Sequence, residues 1–414
     1  MSLRRVVVVG GGAAGFFAAI SCAEAQPGME VLLLEKGPQF LSKVRVSGGG
    51  RCNLTHAGGE AREMVFCYPR GGRELWGPLT LFQAADTIAW FESRGVKLKT
   101  ESDGRVFPAS DSSAAIIDCL LGQARPAGVK LLANTGLAGA ARRPAGGFEL
   151  TLADGATLDC ERLLLATGGC SATALDPLPV LLGHTIMTPV PSIFSFEVKT
   201  PWVRALSGVS VETVEVSVPG TQLHERGALL LTHDGLSGPV ILALSAWGAQ
   251  ILHDLQYQFP VHVDWLPLLD PRAITTVLCA NRKTQPARQV VNSPLPPLPA
   301  RLWEQLVLAS GLTREIRWAE VSRSAQHHLL QQLIRSSLFV TGKAENKDEF
   351  VTCGGVRLDE INFKTMESRI CPGLYFAGEI LDIDGITGGY NLQAAWTTGW
   401  IAGHAMASGS APAP

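Results

Sequence analysis

Three glycines near the start of the chain have the spacing of a turn that binds a diphosphate. Gly10, Gly12 and Gly15 follow the β-branched run 6–9, which predicts a buried parallel strand, and open the alanine-rich stretch 13–25, which predicts a helix. Such glycines permit a tight turn, close approach of a pyrophosphate and close helix–strand packing, and the helix N-terminus favours negative charge. The residues predicted to contact the diphosphate are Gly10, Gly12, Ala13, Ala14 and Gly15.

The second predicted strand ends in an acid that suits the ribose of the same ligand. Glu35, followed by Lys36, closes the apolar run 31–34 at the spacing expected of a carboxylate that accepts hydrogen bonds from ribose hydroxyls. An acid at this position favours an unphosphorylated ribose, so FAD or NAD fits better than NADP. The alternative is a purely structural strand–helix–strand turn.

A basic, glycine-rich segment follows the second strand. Its three consecutive glycines predict a loop without regular secondary structure, and its backbone N–H groups and cations suit an anionic or electron-rich ligand. The alternative is a surface hairpin with solvated arginines, and the cysteine here is either a redox thiol or a small packed residue. The residues predicted to contact the ligand are Lys43, Ser47, Gly48, Gly49, Arg51, Cys52 and Asn53.

Two later strands are predicted to end beside the same ligand. The run 162–165 predicts a buried strand that leaves into a glycine turn formed by Ala166, Thr167 and Gly168. Near the C-terminus, a predicted strand over 373–379 contains Gly378 and ends in the acid Glu379, at the sheet edge where ligands bind in open α/β folds. A glycine pair then opens a helix over 390–407, and its N–H groups would stabilise an anionic reduced flavin. The residues predicted at this helix start are Gly389, Tyr390 and Asn391.

Composition limits the class of protein. The 414 residues carry a net charge of −2, which offers no global basic field and argues against a nucleic-acid partner. The nine cysteines form no CxxC pair, and no stretch is long enough to cross a bilayer or has the form of a signal peptide. We therefore expect a cytoplasmic protein with reduced thiols, no membrane partner and no metal site.

The chain divides into segments of different character. We predict the first part of a nucleotide domain over 1–190 and, after a rise in proline density, an inserted domain of alternating antiparallel strands over 191–265. A helical and loop-like part of the insertion follows over 266–340, and the second part of the nucleotide domain occupies 341–408. Residues 409–414 are predicted to be a disordered tail.

Several motifs together resemble the BaiN/YhiN-like flavoproteins, a family also known as aminoacetone-oxidase-family FAD-binding enzymes or NAD(P)/FAD-dependent oxidoreductases. The resemblance spans nearly the whole chain and is most specific in its C-terminal block. It implies a Rossmann-like α/β FAD-binding domain of the two-dinucleotide-binding class, an inserted antiparallel β-barrel-like domain and a small helical part, with FAD bound non-covalently. The motifs are Lys43 with 47–55, Gly104 to Pro108, Ala166 to Gly169, Thr232 to Pro239, and the block 351–403.

One segment departs from the family pattern. After Gly169 the family commonly continues with a serine-, proline- and glycine-rich stretch, whereas this chain has 170–179, Cys-Ser-Ala-Thr-Ala-Leu-Asp-Pro-Leu-Pro. The resemblance places this segment beside the flavin, so the substrate of better-known members does not transfer to this chain.

The motifs together predict an FAD-dependent oxidoreductase that transfers a hydride or electrons at flavin N5 to or from a small organic substrate. No residue stands out as the catalytic acid or base. Because a second dinucleotide fingerprint is missing, we expect NAD(P)H to reach the flavin face transiently or oxygen to act as acceptor. The alternatives are a flavoprotein that acts on tRNA and a non-catalytic FAD-binding sensor, and oligomeric state stays open.

Overall fold

The computed structural model describes residues 5–169, 177–344 and 351–408. The atypical segment after Gly169 and the predicted tail therefore lie outside the described residues. The described residues form two compact units, one from those within 1–191 and 351–414 and the other from those within 192–350.

The first unit begins with a strand–helix–strand unit, as the sequence predicts, and adds small sheets and helices. Its first segment contains strands β1 Arg5–Val9, β2 Glu30–Leu34, β3 Thr55–His56, β4 Leu98–Thr100, β5 Arg105–Pro108, β6 Lys130–Leu132, β7 Leu137–Arg142, β8 Phe148–Leu152, β9 Thr157–Cys160, β10 Arg162–Leu165 and β11 Ile186–Ser192. Its helices are α1 Ala13–Ala25, α2 Ser42–Val46, α3 Ala61–Met64, α4 Gly72–Leu81, α5 Ala84–Glu92, α6 Ala114–Ala124 and α7 Pro177–Leu181.

The second unit is a closed barrel with helices added to it. Its strands are β12 Phe196–Val198, β13 Ser210–Ser217, β14 His224–Leu231, β15 Gly235–Ser237, β16 Phe259–Asp264 and β17 Ser336–Lys343. Its helices are α8 Pro201–Ala205, α9 Pro239–Trp247, α10 Ala249–Asp254, α11 Pro271–Thr284, α12 Ala300–Ala309 and α13 Arg323–Ile334.

The chain then returns to the first unit. The returning elements are β18 Val351–Val356, β19 Ile361–Asn362, β20 Glu367–Ser368, β21 Leu374–Phe376 and the long helix α14 Tyr390–Ser408. The main sheet has the order β19-β20-β21-β10-β1-β2-β6, and β21, β10, β1, β2 and β6 run parallel. Because parallel strands end at one edge of a sheet, the loops after β1, β10 and β21 meet there.

The helices α1 and α14 pack closely against each other, and glycine makes the approach possible. A Cβ on Gly399 would lie 2.5 Å from the Ala14 carbonyl oxygen, and one on Gly403 would lie 2.5 Å from that of Ala18. Phe17 and Trp396 are fully buried beside this contact, with ring centroids 4.8 Å apart. The start and the end of the chain therefore form one core.

The barrel closes in the order β12-β15-β14-β13-β16-β17. The last strand, Ser336–Lys343, falls mostly within 266–340, which the sequence predicted to be helical and loop-like, and the helices α9 and α10 fall within the predicted β segment 191–265. Alternation showed β13 clearly because one face of that strand is buried, whereas β17 became recognisable only through its pairing with β12 and β16. An α/β fold with an inserted antiparallel barrel is confirmed.

Candidate functional site

The glycine turn after β1 leaves room for a ligand at one position. A Cβ on Gly10 would lie 2.2 Å from the Ala166 carbonyl oxygen, and one on Gly15 would lie 1.9 Å from that of Gly10. A Cβ on Gly12 would meet nothing within 4 Å. The protein's own packing therefore explains Gly10 and Gly15, whereas the space in front of Gly12 is open to a bound molecule.

The N-terminus of α1 offers hydrogen-bond donors at the same place. The N–H of Phe16 donates to the Gly12 carbonyl at 3.0 Å, so the N–H groups before it belong to the first turn, where a helix supplies no partner. Gly12 caps the helix without a side chain, and Ala13 and Ala14 are buried. A buried helix start with free donors favours an anionic group, as the sequence predicts for this turn.

Glu35 lies beside this turn in a fixed orientation. Its carboxylate accepts hydrogen bonds from the Gly11 N–H at 2.9 Å and the Gly37 N–H at 2.8 Å. Lys36, which was predicted to join it, is exposed. The strand end therefore holds an oriented carboxylate next to the open glycine, which is the placement required for a ribose contact.

The turn after β10 touches the first turn directly. Ala166 is buried, and its N–H donates to the Val9 carbonyl at 2.8 Å, while its own carbonyl faces Gly10. Thr167 is exposed and Gly168 has φ +82° with open space around it. The two sequence-distant turns therefore converge.

Glu379 joins them from the C-terminal part of the chain. It lies in a 3-10 turn after β21, where its carboxylate accepts from the Thr352 N–H at 3.0 Å and from the Lys43 ammonium at 2.5 Å. Just before it, a Cβ on Gly378 would lie 2.8 Å from the Ala14 Cβ. Glu379 and the start of α1 therefore belong to one local site in the first unit.

The turn before α14 is stabilised by side-chain hydrogen bonds to its backbone. The Gly385 N–H donates to Asn391 Oδ1 at 2.9 Å, and Asn391 Nδ2 donates to the Gly385 carbonyl at 2.8 Å. With its amide oriented to match its neighbours, Asn53 accepts from the Gly389 N–H at 3.1 Å. The predicted residues Asn53, Gly389 and Asn391 are thus brought together, and Asn391 acts on the turn itself.

Tyr390 is buried in a small aromatic group. Its ring stacks on His56 at a centroid distance of 5.1 Å, and the Tyr68 hydroxyl donates to the Tyr390 carbonyl at 2.8 Å. Burial raises the pKa of Tyr390, so the phenol stays protonated at neutral pH. Its side chain positions the turn through packing.

The predicted loop 43–53 has more structure than its glycines indicated. Residues 43–46 belong to the helix α2, so the prediction of an irregular loop was wrong there, whereas the backbone at Gly48 and Gly49 is not helical. Positive φ at Gly48 and Gly49 turns the chain, and the Ser47 hydroxyl donates to the Val44 carbonyl at 2.9 Å. Local hydrogen bonds of this kind, which composition does not reveal, account for the difference.

Two side chains of this segment are engaged within the protein. Arg51 pairs with Glu101 at 2.7 Å and lies over the Phe107 ring at 4.0 Å, so it is neither a freely solvated arginine nor a free cation facing a ligand. Cys52 is fully buried, and burial raises the pKa of its thiol to about 12. A protonated, enclosed thiol favours the packed alternative over the redox one.

The structure adds residues that sequence reasoning did not select. Arg70 forms an ion pair with the fully buried Asp384, and the Gly354 N–H donates to Asp382 at 3.1 Å. Burial raises the pKa of Asp382, opposed by the charge of Arg70. Thr352 belongs to the same strand as Gly354. The acids 382 and 384 were visible in the sequence, but their basic partner is over 300 positions away.

Metal clusters and membrane-spanning helices are both missing from the described residues. Among them, no group of three or more histidine, cysteine, aspartate or glutamate side chains could hold a metal ion. None of the helices in the described parts of the chain is both long and apolar enough to span a membrane.

The site fits the ADP half of an FAD molecule in two respects. The open space at Gly12 with buried N–H donors suits a diphosphate, and the oriented carboxylate of Glu35 suits a ribose. Gly378, beside Glu379, lies against Ala14 in the first turn of α1, so the C-terminal acid is close to the same helix start.

Comparison with known proteins agrees with this geometry. Residues 4–405 match the family model described as HI0933-like protein Rossmann domain. The chain is 30% identical to a 3-dehydro-bile acid delta(4,6)-reductase of Clostridium scindens, over 98% of this chain and 99% of that protein. It is 31% identical to a ribosomal RNA dihydrouridine synthase of Escherichia coli, over 95% and 96% of the two chains.

A solved structure shows the same fold at low identity. The 3-ketosteroid-delta4-(5alpha)-dehydrogenase of Rhodococcus jostii RHA1 matches with a TM-score of 0.52 and 14% identity, covering 97% of this chain and 96% of that one. At this identity the likeness concerns the fold alone.

Proposed function

Because the chain belongs to the HI0933-like Rossmann-domain family of flavoprotein oxidoreductases, we propose that it is an FAD-dependent reductase of carbon–carbon double bonds conjugated to a carbonyl. The family membership confirms the resemblance to BaiN/YhiN-like flavoproteins and the oxidoreductase class. The observation that carries the proposal is the open space at Gly12, at a helix start that Gly378, the residue before Glu379, also contacts.

The double-bond chemistry comes from what two relatives share. A delta(4,6)-reductase of a 3-dehydro-bile acid and a synthase of dihydrouridine would each reduce a carbon–carbon double bond that is conjugated to a ring carbonyl. The substrates differ greatly in size and charge, whereas the bond that is reduced is of one chemical type. We extend this bond type to the present chain.

The residues of this chain would bind and orient the cofactor. Gly12, Ala13 and Ala14 would donate backbone N–H groups to the diphosphate, Glu35 would accept from the ribose, and Glu379 would accept from the ribityl chain. Gly389 and its neighbours would lie against the isoalloxazine. When bound, the flavin supplies hydride transfer at N5.

Lys43 and Glu379 are paired in the structure and would set the electrostatics of this region. The Lys43 side chain is 57% exposed and that of Glu379 is 18% exposed, so the lysine can move while the carboxylate is held by Thr352. The overall reaction would take a hydride from NAD(P)H and a proton from solvent, and would saturate one double bond.

The test is a cofactor and turnover assay. The purified protein should release FAD on denaturation, and anaerobic NADH or NADPH should bleach its visible absorption, which a conjugated enone should restore. Release of FMN or no flavin would contradict the cofactor, and bleaching without reoxidation by any enone or by a uracil-containing nucleoside or RNA would contradict the reductase assignment.

A further inference from the structure

The helical part of the second unit has a net positive charge, although the net charge of the whole chain is negative. Residues 271–335 contain nine lysines and arginines against three acids, a local charge of +6. The rest of the chain has 26 basic and 34 acidic residues and is therefore at −8. The net charge of −2 is the sum over two regions of opposite sign. The sequence argument against a nucleic-acid partner depended on that sum.

The basic residues are on the surface and are mostly not neutralised. Eight of the nine are exposed and Arg282 is half-buried. In this segment, all of which the structure describes, Arg314 has an ion pair, with Glu304 at 2.7 Å, and the other eight have none with a described acid. The positive field therefore extends into solvent.

Backbone pairing gathers several of these charges. The chain after α11 forms a bridge between Gln289 and Arg317, and the Trp318 N–H donates to the Arg288 carbonyl at 3.0 Å. The backbones of Arg288 and Arg317 therefore lie close together, with Gln289 directly opposite Arg317, although 29 positions separate the two arginines. Lys283, in the last turn of α11, and Arg323, at the start of α13, flank this bridge.

The two helices carry further exposed cations. Gln326 Nε2 lies 3.1 Å from Cys279 Sγ, so the start of α13 packs on the C-terminal half of α11. Arg272 and Lys283 are about three turns apart on the exposed face of α11, opposite the buried Ile274 and Leu278. The far end of α13 leads to Arg335.

We propose that the surface formed by Arg272, Lys283, Arg288, Arg317, Arg323 and Arg335, named here the basic ridge, binds the phosphate backbone of RNA. This rests on the proposed function and names the substrate as a uracil base within an RNA chain. Exposed guanidinium and ammonium groups without ion-pair partners suit the successive phosphates of a polyanion, and guanidinium binds phosphate in bidentate fashion. The ridge supplies affinity, and the base to be reduced is recognised elsewhere.

The experiment compares two triple variants in the full-length holoprotein. Lys283→Gln, Arg288→Gln and Arg317→Gln together neutralise the ridge, and Lys97→Gln, Arg125→Gln and Lys364→Gln neutralise three exposed cations in the other unit. Fluorescence anisotropy with labelled oligouridylate and with unmodified ribosomal RNA would measure binding between about 50 and 200 mM salt.

We expect the ridge variant to bind both RNAs at least tenfold more weakly and the control to bind within about twofold of wild type. The slope of log K against log salt is negative, and loss of three phosphate contacts should reduce its magnitude by about two to three. A third protein, with the charge-preserving set Lys283→Arg, Arg288→Lys and Arg317→Lys, should bind RNA nearly as well as wild type, because the positive charges stay in place.

Three outcomes would overturn the proposal. The first is equal RNA binding by the ridge variant and wild type. The second is RNA binding by wild type that does not change between about 50 and 200 mM salt. The third is binding of the ridge to anionic phospholipid vesicles and not to RNA. Flavin content and enone-dependent oxidation of NAD(P)H, measured on the same samples, report the proposed function separately. Normal values there with no RNA binding would reject the ridge alone.

Discussion

The two glycine turns of the first unit use the same residue type for different reasons. In the turn after β1, Gly12 faces space that no protein atom occupies within 4 Å. In the turn before α14, a Cβ on Gly388 would lie 2.6 Å from the Tyr390 ring, and one on Gly389 would lie 2.6 Å from the Thr55 backbone. Substitution in the second turn should therefore disturb the fold, whereas substitution at Gly12 should disturb binding.

The largest effect is expected from the ion pair that anchors the second turn. Arg70→Met would leave the fully buried Asp384 without its guanidinium partner, so the free energy of unfolding should fall by about 3–5 kcal/mol. Urea denaturation of the apoprotein measures this. The matched control is Arg105→Met, which removes the surface pairs with Asp103 and Glu101 and should cost less than about 1 kcal/mol. Equal losses would show that the pair does not anchor the turn.

A smaller loss is expected at the second glycine turn itself. Gly389→Ala places a Cβ against the Thr55 backbone at φ +96°, which should lower the free energy of unfolding by about 2–4 kcal/mol. Gly155→Ala is the control, since it has a similar φ of +88° but open space, and should cost about 1 kcal/mol. A Gly389→Ala protein as stable as its control would remove the contrast between the two turns.

The first turn should show the opposite behaviour. Gly12→Val fills the open space where the backbone is extended, so the flavin content should fall at least tenfold while the apoprotein's free energy of unfolding stays within about 1 kcal/mol of wild type. Absorbance of the purified protein and denaturation of the apoprotein measure the two quantities. Gly12→Ala should give an intermediate flavin content, and a full flavin spectrum in the valine variant would exclude this site.

The smallest effect concerns pH and Asp382, beside the second turn. Burial raises its pKa in the folded state, so its contribution to stability is present below the ordinary carboxyl pKa of about 4 and is lost as pH rises through the folded value. Asp382→Asn removes this dependence, and the variant should gain stability relative to wild type as pH rises, by about 1 kcal/mol or less.

Local patterns predicted much of the nucleotide unit. The strand, turn and helix over 5–25, the hairpin of β8 and β9, and the helix over 390–408 follow from apolar periodicity and glycine placement. The barrel was harder to delimit, because β17 is separated from its partner β12 by over 130 residues. Pairing across such a distance leaves no signal in a local window.

The sequence by itself determined the chemical character of the site: the glycine spacing around Gly12, the acids Glu35 and Glu379, and the order of the family motifs. Only the tertiary structure decided which of these residues meet, since the pairs Gly10–Ala166, Gly378–Ala14 and Lys43–Glu379 all join distant segments. It also showed that the basic residues of 271–335 are nearly all exposed, which the charge count of the sequence could not show.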